Sequence, residues 1–185
     1  FHHASPATYR TLLDHLQPKE LLGLTATPER ADGNDILGYF DGRIAAELRL
    51  WDALGQELLS PFHYFAIADG TDLSRVAWVR GGYDTVQLSK VFTGNDARAR
   101  ILDSEVLDQV IDPRGMRGLG FCVDVSHAEY MARVFNEAGI PALMISGDGR
   151  TQAPRDEALR LLRNREVNVL FSAELFNEGL DVPVV

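Results

Sequence analysis

The residues best suited to chemistry or ligand binding stand where apolar runs stop. Leu21-Leu22-Gly23-Leu24 gives way to Thr25-Ala26-Thr27-Pro28, so that two hydroxyl groups close a strand-like run. Three later apolar runs stop in the same manner, at Asp124–Ser126, Ser146–Gly149 and Ser172–Glu174. At the carboxyl edge of a parallel sheet, hydroxyls, carboxylates and glycines make a surface for an extended polar ligand. The same residue types also serve as caps and turns. Thr is a good strand residue and Pro28 has no N–H, so Thr-Ala-Thr-Pro reads equally as a strand end and turn. Ser126 with Glu129 three residues later has the pattern of a capping box. Gly147-Asp148-Gly149 reads as a plain turn at least as readily as a binding loop.

Other chemistries find little support. No GxxxxGK[ST] loop occurs that could wrap a triphosphate in backbone N–H groups. The single cysteine, Cys122, lies inside the apolar run Leu119–Val123, where it reads as a small core residue; internal disulfides and Cys-based metal sites are excluded. His2 and His3 are adjacent, and sequence neighbours do not share a helix face. With Cys122 expected to be buried, the sequence supports no Ser-His-Asp or Cys-His arrangement. The formal net charge of −9 argues against a protein that coats nucleic acid by overall electrostatics, but allows a local phosphate groove. Lys19 and Lys90 are the only lysines, and five arginines fall between Arg150 and Arg165, as a solvated helix face or a backbone-phosphate contact.

With 45% hydrophobic and 24% charged residues the composition is that of an ordinary globular protein. No apolar run approaches the roughly 20 residues that span a bilayer. An intracellular, cytoplasmic protein without membrane contact is expected. The chain begins at Phe1, inside a pattern, and a fragment of a longer protein is expected.

The elements that must position these residues follow from periodicity and punctuation. Ser5-Pro6 and the spacing of Tyr9, Leu12, Leu13 and Leu16 predict a helix from about Pro6 to Leu16. Leu21–Thr25 reads as a short buried strand, 29–42 as a polar loop with room for one turn of helix, 44–54 as undecided and Phe62–Ala68 as a strand. Asn95 caps a long helix with Ile101, Leu102, Val106, Leu107 and Val110 on one stripe, stopped by Asp112-Pro113. A regular alternation follows. Leu119–Val125 is a strand, a helix carrying Ala128, Met131, Ala132 and Phe135 runs to Gly139, and Pro141–Ile145 is the next strand. Ala153–Asn164 is a helix with Leu159 and Leu162 inward, Val167–Phe171 a strand, and Glu174–Asn177 a short helical turn. Strands alternating with helices predict a parallel, doubly wound sheet with right-handed crossovers.

Several of these stretches resemble the motifs of superfamily 2 helicases. Phe1-His2-His3-Ala4 resembles the tail of a DE-x-H box (motif II), GLTATPER at 23–30 motif III, Gly120–His127 motif IV, and FSAELFNEGLDVP at 171–183 motif V. The nearest flavour is the DEAH-like DNA helicase and restriction-translocase branch. Where motif V often has Thr-Asp, this chain has Ala173-Glu174.

The resemblance implies two RecA-like domains of the P-loop NTPase fold, each a parallel sheet flanked by helices, with ATP and Mg²⁺ between them. Residues 1–58 would be the C-terminal part of the first domain, and 59–185 most of the second, ending before motif VI. His2, Thr25 and Thr27 would couple nucleotide state to domain motion, and Gly179 and Asp181 would approach ATP. Asp124, Ser126, Gly147, Asp148 and Ser172 would face the nucleic-acid backbone. The function implied is that of a helicase or translocase fragment acting on nucleic acid, DNA favoured over RNA, without a complete ATPase site and with possible nuclease or DNA-binding domains elsewhere in the parent. A non-catalytic RecA-like nucleic-acid-binding or interaction module is the alternative. An unrelated nucleotide-binding α/β enzyme would need a glycine-rich loop after its first strand, and none is visible.

Overall fold

The computed structural model describes residues 6–25, 36–79, 82–147, 151 and 153–173. The chain divides into two compact units, Phe1–Phe65 and Ala66–Val185.

The first unit carries helix α1 (Pro6–Leu16), a 3-10 turn at Leu37–Tyr39 and helix α2 (Leu50–Gly55). The first helix has the predicted bounds; its proposed cap, Ser5, lies outside the described residues. The expected strand Leu21–Thr25 is not formed: the segment is irregular, and Leu22 and Leu24 are 75% and 77% exposed. A strand needs a ladder partner to satisfy its backbone, and the first unit has no strand among its described residues. The undecided stretch 44–54 resolves into an irregular approach to α2.

The expected strand Phe62–Ala68, which straddles the boundary between the units, is likewise irregular, with Phe62, Tyr64 and Phe65 of the first unit exposed. Its aromatic content imitates a strand, but no segment among the described residues pairs with it. A small antiparallel hairpin follows, β1 (Trp78–Val79) and β2 (Gly82–Tyr83), then helix α3 (Thr85–Phe92). Asp84 caps α3 by accepting from the Gln87 N–H. Helix α4 (Asp96–Gln109) starts at the predicted cap, where the Asn95 side chain accepts from the Arg98 N–H.

The alternating region forms β3 (Gly118–Phe121), α5 (Val125–Glu137), β4 (Ala142–Ile145), α6 (Arg155–Arg163) and β5 (Val169–Ser172). The three strands are parallel in the order β3-β5-β4. The last strand is therefore central and buried along its whole length, the expected state of a strand covered on both faces. On one face Val169, Phe171 and Met144 pack with Ala128, Met131, Ala132 and Phe135 of α5 and Ala99 of α4. On the other, Leu170 and Ile145 pack with Ala158, Leu159 and Leu162 of α6. The second unit thus has the α/β, parallel-sheet architecture of a RecA-like domain. The helical turn expected at Glu174–Asn177 lies outside the described residues.

Two glycines and two asparagines fix this arrangement. Gly120 is abreast of Phe171, and a side chain there would occupy the space of the Phe171 ring. That ring meets Phe135 edge-on, centroids 5.0 Å apart. Gly139, with φ +82°, ends α5 in the left-handed conformation. Asn136 on α5 donates to the Ala132 and Ala142 carbonyls and accepts from the Ala142 N–H at 3.0 Å, pinning the helix to the start of β4. Buried Asn168 donates to the carbonyls of Arg114 and Met116 at 2.6 and 3.0 Å, closing the turn before β3 onto β5.

Candidate functional site

The strand register brings three chain segments to one edge. Phe121 and Ile145 stand abreast of Ser172 on its two sides, so β3, β5 and β4 finish level. The Cys122 N–H donates to the Ser172 carbonyl at 2.8 Å and carries the β3–β5 ladder one step further. Beyond this line lie Asp124 and Ser126, the exposed Gly147, and Ala173.

At the β3–α5 turn the cap is Asp124, not Ser126. Asp124 has the extended backbone a cap requires, φ −150° and ψ 178°, and its Oδ1 accepts from the His127 N–H at 2.8 Å. Ser126 is already helical, inside the first turn, so its pattern with Glu129 is out of register by two residues. The reciprocal bond comes from His127, whose Nδ1 accepts from the Val123 N–H at 3.3 Å. A ring accepting at Nδ1 is neutral and carries its proton on Nε2, and that nitrogen is buried without a hydrogen-bond partner. Burial, aided by the nearby Arg98 cation, pushes the His127 pKa down to about 4, against the opposing Asp124 carboxylate.

His127 belongs to a longer chain of contacts. Its ring packs on Phe92 of α3 at 5.6 Å, and the Arg98 guanidinium of α4 lies 4.2 Å from the Phe92 centroid. Arg98 Nε in turn donates to Asp69 Oδ2 at 2.5 Å, with the two side chains 17% and 18% exposed. The Thr71 N–H donates to Asp69 as well, and this bond, reinforced by Arg98, holds the Asp69 carboxyl below its usual range. The turn is thereby tied through α3 and α4 to residues 69–71.

Other groups at the edge are chemically quiet. Burial pushes the Cys122 thiol up to about 12, so it is a poor nucleophile at neutral pH. Ser172 is fully buried and its hydroxyl has no partner, while Ser146 is also buried. Among the described residues no three His, Cys, Asp or Glu side chains gather as cation ligands. The described part of the arginine run is a solvated face: Arg160 pairs with Glu157 at 2.7 Å and Glu166 at 3.0 Å. Thr25 is half-buried in the first unit. His2, Thr27, Asp148, Gly179 and Asp181 lie outside the described residues.

Sequence reading did not single out His127, Arg98, Asp69 or the helix α3. Asp84-x-x-Gln87 is itself a capping signature that would have found α3. A histidine three residues after Asp124 is not among the usual capping partners, and the Asp69–Arg98 pair spans too much sequence to be visible as a motif.

Residues 102–185 match the helicase conserved C-terminal domain. The chain is also similar to a 51.5 kDa protein of a Lactococcus phage, 27% identical over 184 residues, which cover 98% of this chain and 38% of that protein. A protein of Saccharomyces cerevisiae carrying the name ATP-dependent helicase IRC3 is 25% identical over 188 residues, or 98% of this chain and 27% of its own length. The chain thus spans well under half of either relative. The expected resemblance of the chain to helicases is borne out. No helix among the described residues is long and apolar enough to cross a membrane.

Proposed function

We propose that this chain, with its helicase C-terminal domain, is part of an ATP-dependent superfamily 2 helicase or translocase that acts on nucleic acid, DNA in preference to RNA. The observation that carries the reading is the match of residues 102–185 to a stretch whose three parallel strands finish level. In this reading 59–185 is most of the second RecA-like domain and 1–58 the end of the first. Asp124, Ser126, Gly147, Asp148 and Ser172 mark the edge that follows the nucleic-acid backbone, a contact that binds without reading sequence. With the Asp124 carboxylate engaged at the helix cap and the Ser172 hydroxyl buried, that edge offers backbone N–H groups and Gly147 more than side chains. His2, Thr25 and Thr27 couple the domains, and Gly179 and Asp181 reach the nucleotide.

The residues of this chain do not by themselves fit Mg²⁺-ATP. The sequence has no glycine-lysine phosphate loop, and the described residues hold no cluster of cation ligands. ATP and Mg²⁺ are proposed for the parent protein, with their main ligands outside this chain, and the isolated chain is expected to be inactive. Nuclease or further DNA-binding domains and a cytoplasmic site of action complete the reading.

The test is ATP hydrolysis by the parent protein. Its rate should rise with DNA present and rise less with RNA; a rate indifferent to both overturns the translocase. A second reading, a non-catalytic binding module, draws on Ala173 in place of a hydroxyl and on the net charge of −9. It predicts a parent without motif VI arginines after Val185 and with no ATP hydrolysis under any condition.

A further inference from the structure

We infer that Arg98 is a positioning residue for the β3–α5 turn, through which the entry of the chain into the second unit sets the shape of the sheet edge at Asp124 and Ser126. Only in taking that edge to bind nucleic acid does this rest on the proposed function. Four contacts in series make the connection, from Asp69 to Arg98, Phe92, His127 and Val123.

The first contact is an ion pair held away from solvent. The Asp69 and Arg98 side chains are 17% and 18% exposed, whereas those of the Arg133–Glu137, Arg160–Glu157 and Arg160–Glu166 pairs are at least 45% exposed. Exposed pairs are screened and worth little, while breaking a shielded pair strands a charge. Asp69 follows closely on Ala66, where the second unit begins, so the pair anchors the chain near its point of entry. The second contact needs arginine. Its Nε donates to Asp69 while the guanidinium lies 4.2 Å from the Phe92 ring centroid. Lysine would carry the charge, but it has no planar group to lay on a ring and no donor at that point of its stem.

Phe92 ends α3 and lies against the His127 ring, planes 30° apart. His127 Nδ1 then accepts from the N–H of Val123, the residue before the Asp124 cap. Its Nε2 is buried without a partner, so no second hydrogen bond fixes the ring. The orientation of His127 therefore depends on its packing, and Phe92 supplies an aromatic face of it. Arg98 acts on the ring in two ways. It holds Phe92 in place, and, after burial itself, its charge disfavours the protonated imidazole, which could not accept from Val123.

Coupling along such a series is established by double-mutant cycles. The experiment uses the full chain, isotope-labelled for NMR. Imidazole correlations should show His127 protonated at Nε2 alone. Asp69→Asn, which can still accept from Thr71, and Arg98→Lys should each admit the Nδ1–H tautomer. Each should also speed exchange of the Val123 N–H about 5- to 150-fold, the usual range of coupling between sites. Exchange at Leu170, at the centre of β5, should not change. In a His127→Asn chain, where no ring meets Phe92, Asp69→Asn should alter Val123 exchange by less than about twofold. Unchanged Val123 exchange, a change shared equally by Leu170, or an equal effect of Asp69→Asn with and without His127 overturns the inference. In the parent protein, Arg98→Lys should raise the DNA concentration that half-saturates ATP hydrolysis and leave the maximal rate nearly unchanged; an unmoved half-saturation in a DNA-stimulated parent overturns the link to the edge. The two proposals fail separately. Val123 exchange indifferent to Asp69 and Arg98 leaves DNA-stimulated hydrolysis standing, and a parent indifferent to DNA leaves the coupling of Arg98 to the turn.

Discussion

Leu170 and Leu24 are the same residue type in short apolar runs, and the two units treat them oppositely. In the second unit Leu170 is fully buried between strands and under α6, one of a continuous set of core residues. In the first, Leu24 is 77% exposed, and only Ile36 and Ala53 are buried apolar residues among those described. An apolar run acquires structure only when neighbouring elements cover it. The parallel sheet supplies cover on both faces.

This contrast can be broken most directly in the sheet. Leu170→Ala should lower the unfolding free energy of the second unit by about 2–5 kcal/mol, measured by urea denaturation. Leu24→Ala should cost no more than about 0.5 kcal/mol. Comparable costs would show that the first unit holds its chain as tightly as the second. Asn136→Ala should come next, at about 1–3 kcal/mol, because it strands the buried Ala142 N–H and unpins α5 from β4. An unchanged midpoint would mean that packing alone sets that junction.

His127 sharpens the comparison through pH. Its folded pKa of about 4 lies below the ordinary value of roughly 6.5, so between these values the unfolded chain binds more protons. The contribution of the neutral imidazole is fully present above about pH 6.5 and is lost as pH falls through about 4. In His127→Asn, whose Oδ1 can still accept from Val123, stability should fall less steeply over this window. Parallel slopes would remove the buried neutral histidine. The smallest effect belongs to Arg160→Ala, which breaks exposed ion pairs and should leave the midpoint within measurement error.

The legible part of the fold is the part in which local signals agree with long-range packing. Asn95 caps α4 as its position predicts, Gly139 ends α5, and Leu159 and Leu162 turn inward, because periodicity and punctuation there serve the same sheet. Leu21–Thr25 and Phe62–Ala68 have the composition of strands but lack pairing partners, a property that no local pattern encodes. At the edge, the clustering of Asp124, Gly147 and Ser172 follows from the alternation of strands and helices. The choice of Asp124 over Ser126 as cap does not. Both residues can cap, and the outcome depends on which has extended backbone and on His127 reaching back to Val123. The Asp69–Arg98–Phe92 contacts depend wholly on tertiary placement.

The central position of β5 has a mechanical consequence. Ladders to β3 and β4 run on both sides of it in the same direction and over the same four residues. A force applied along this strand loads both ladders in shear, so their hydrogen bonds must yield together and not one after another. Because Ser172 is paired with both Phe121 and Ile145, a pull at Ala173 is shared at once by the two neighbouring strands.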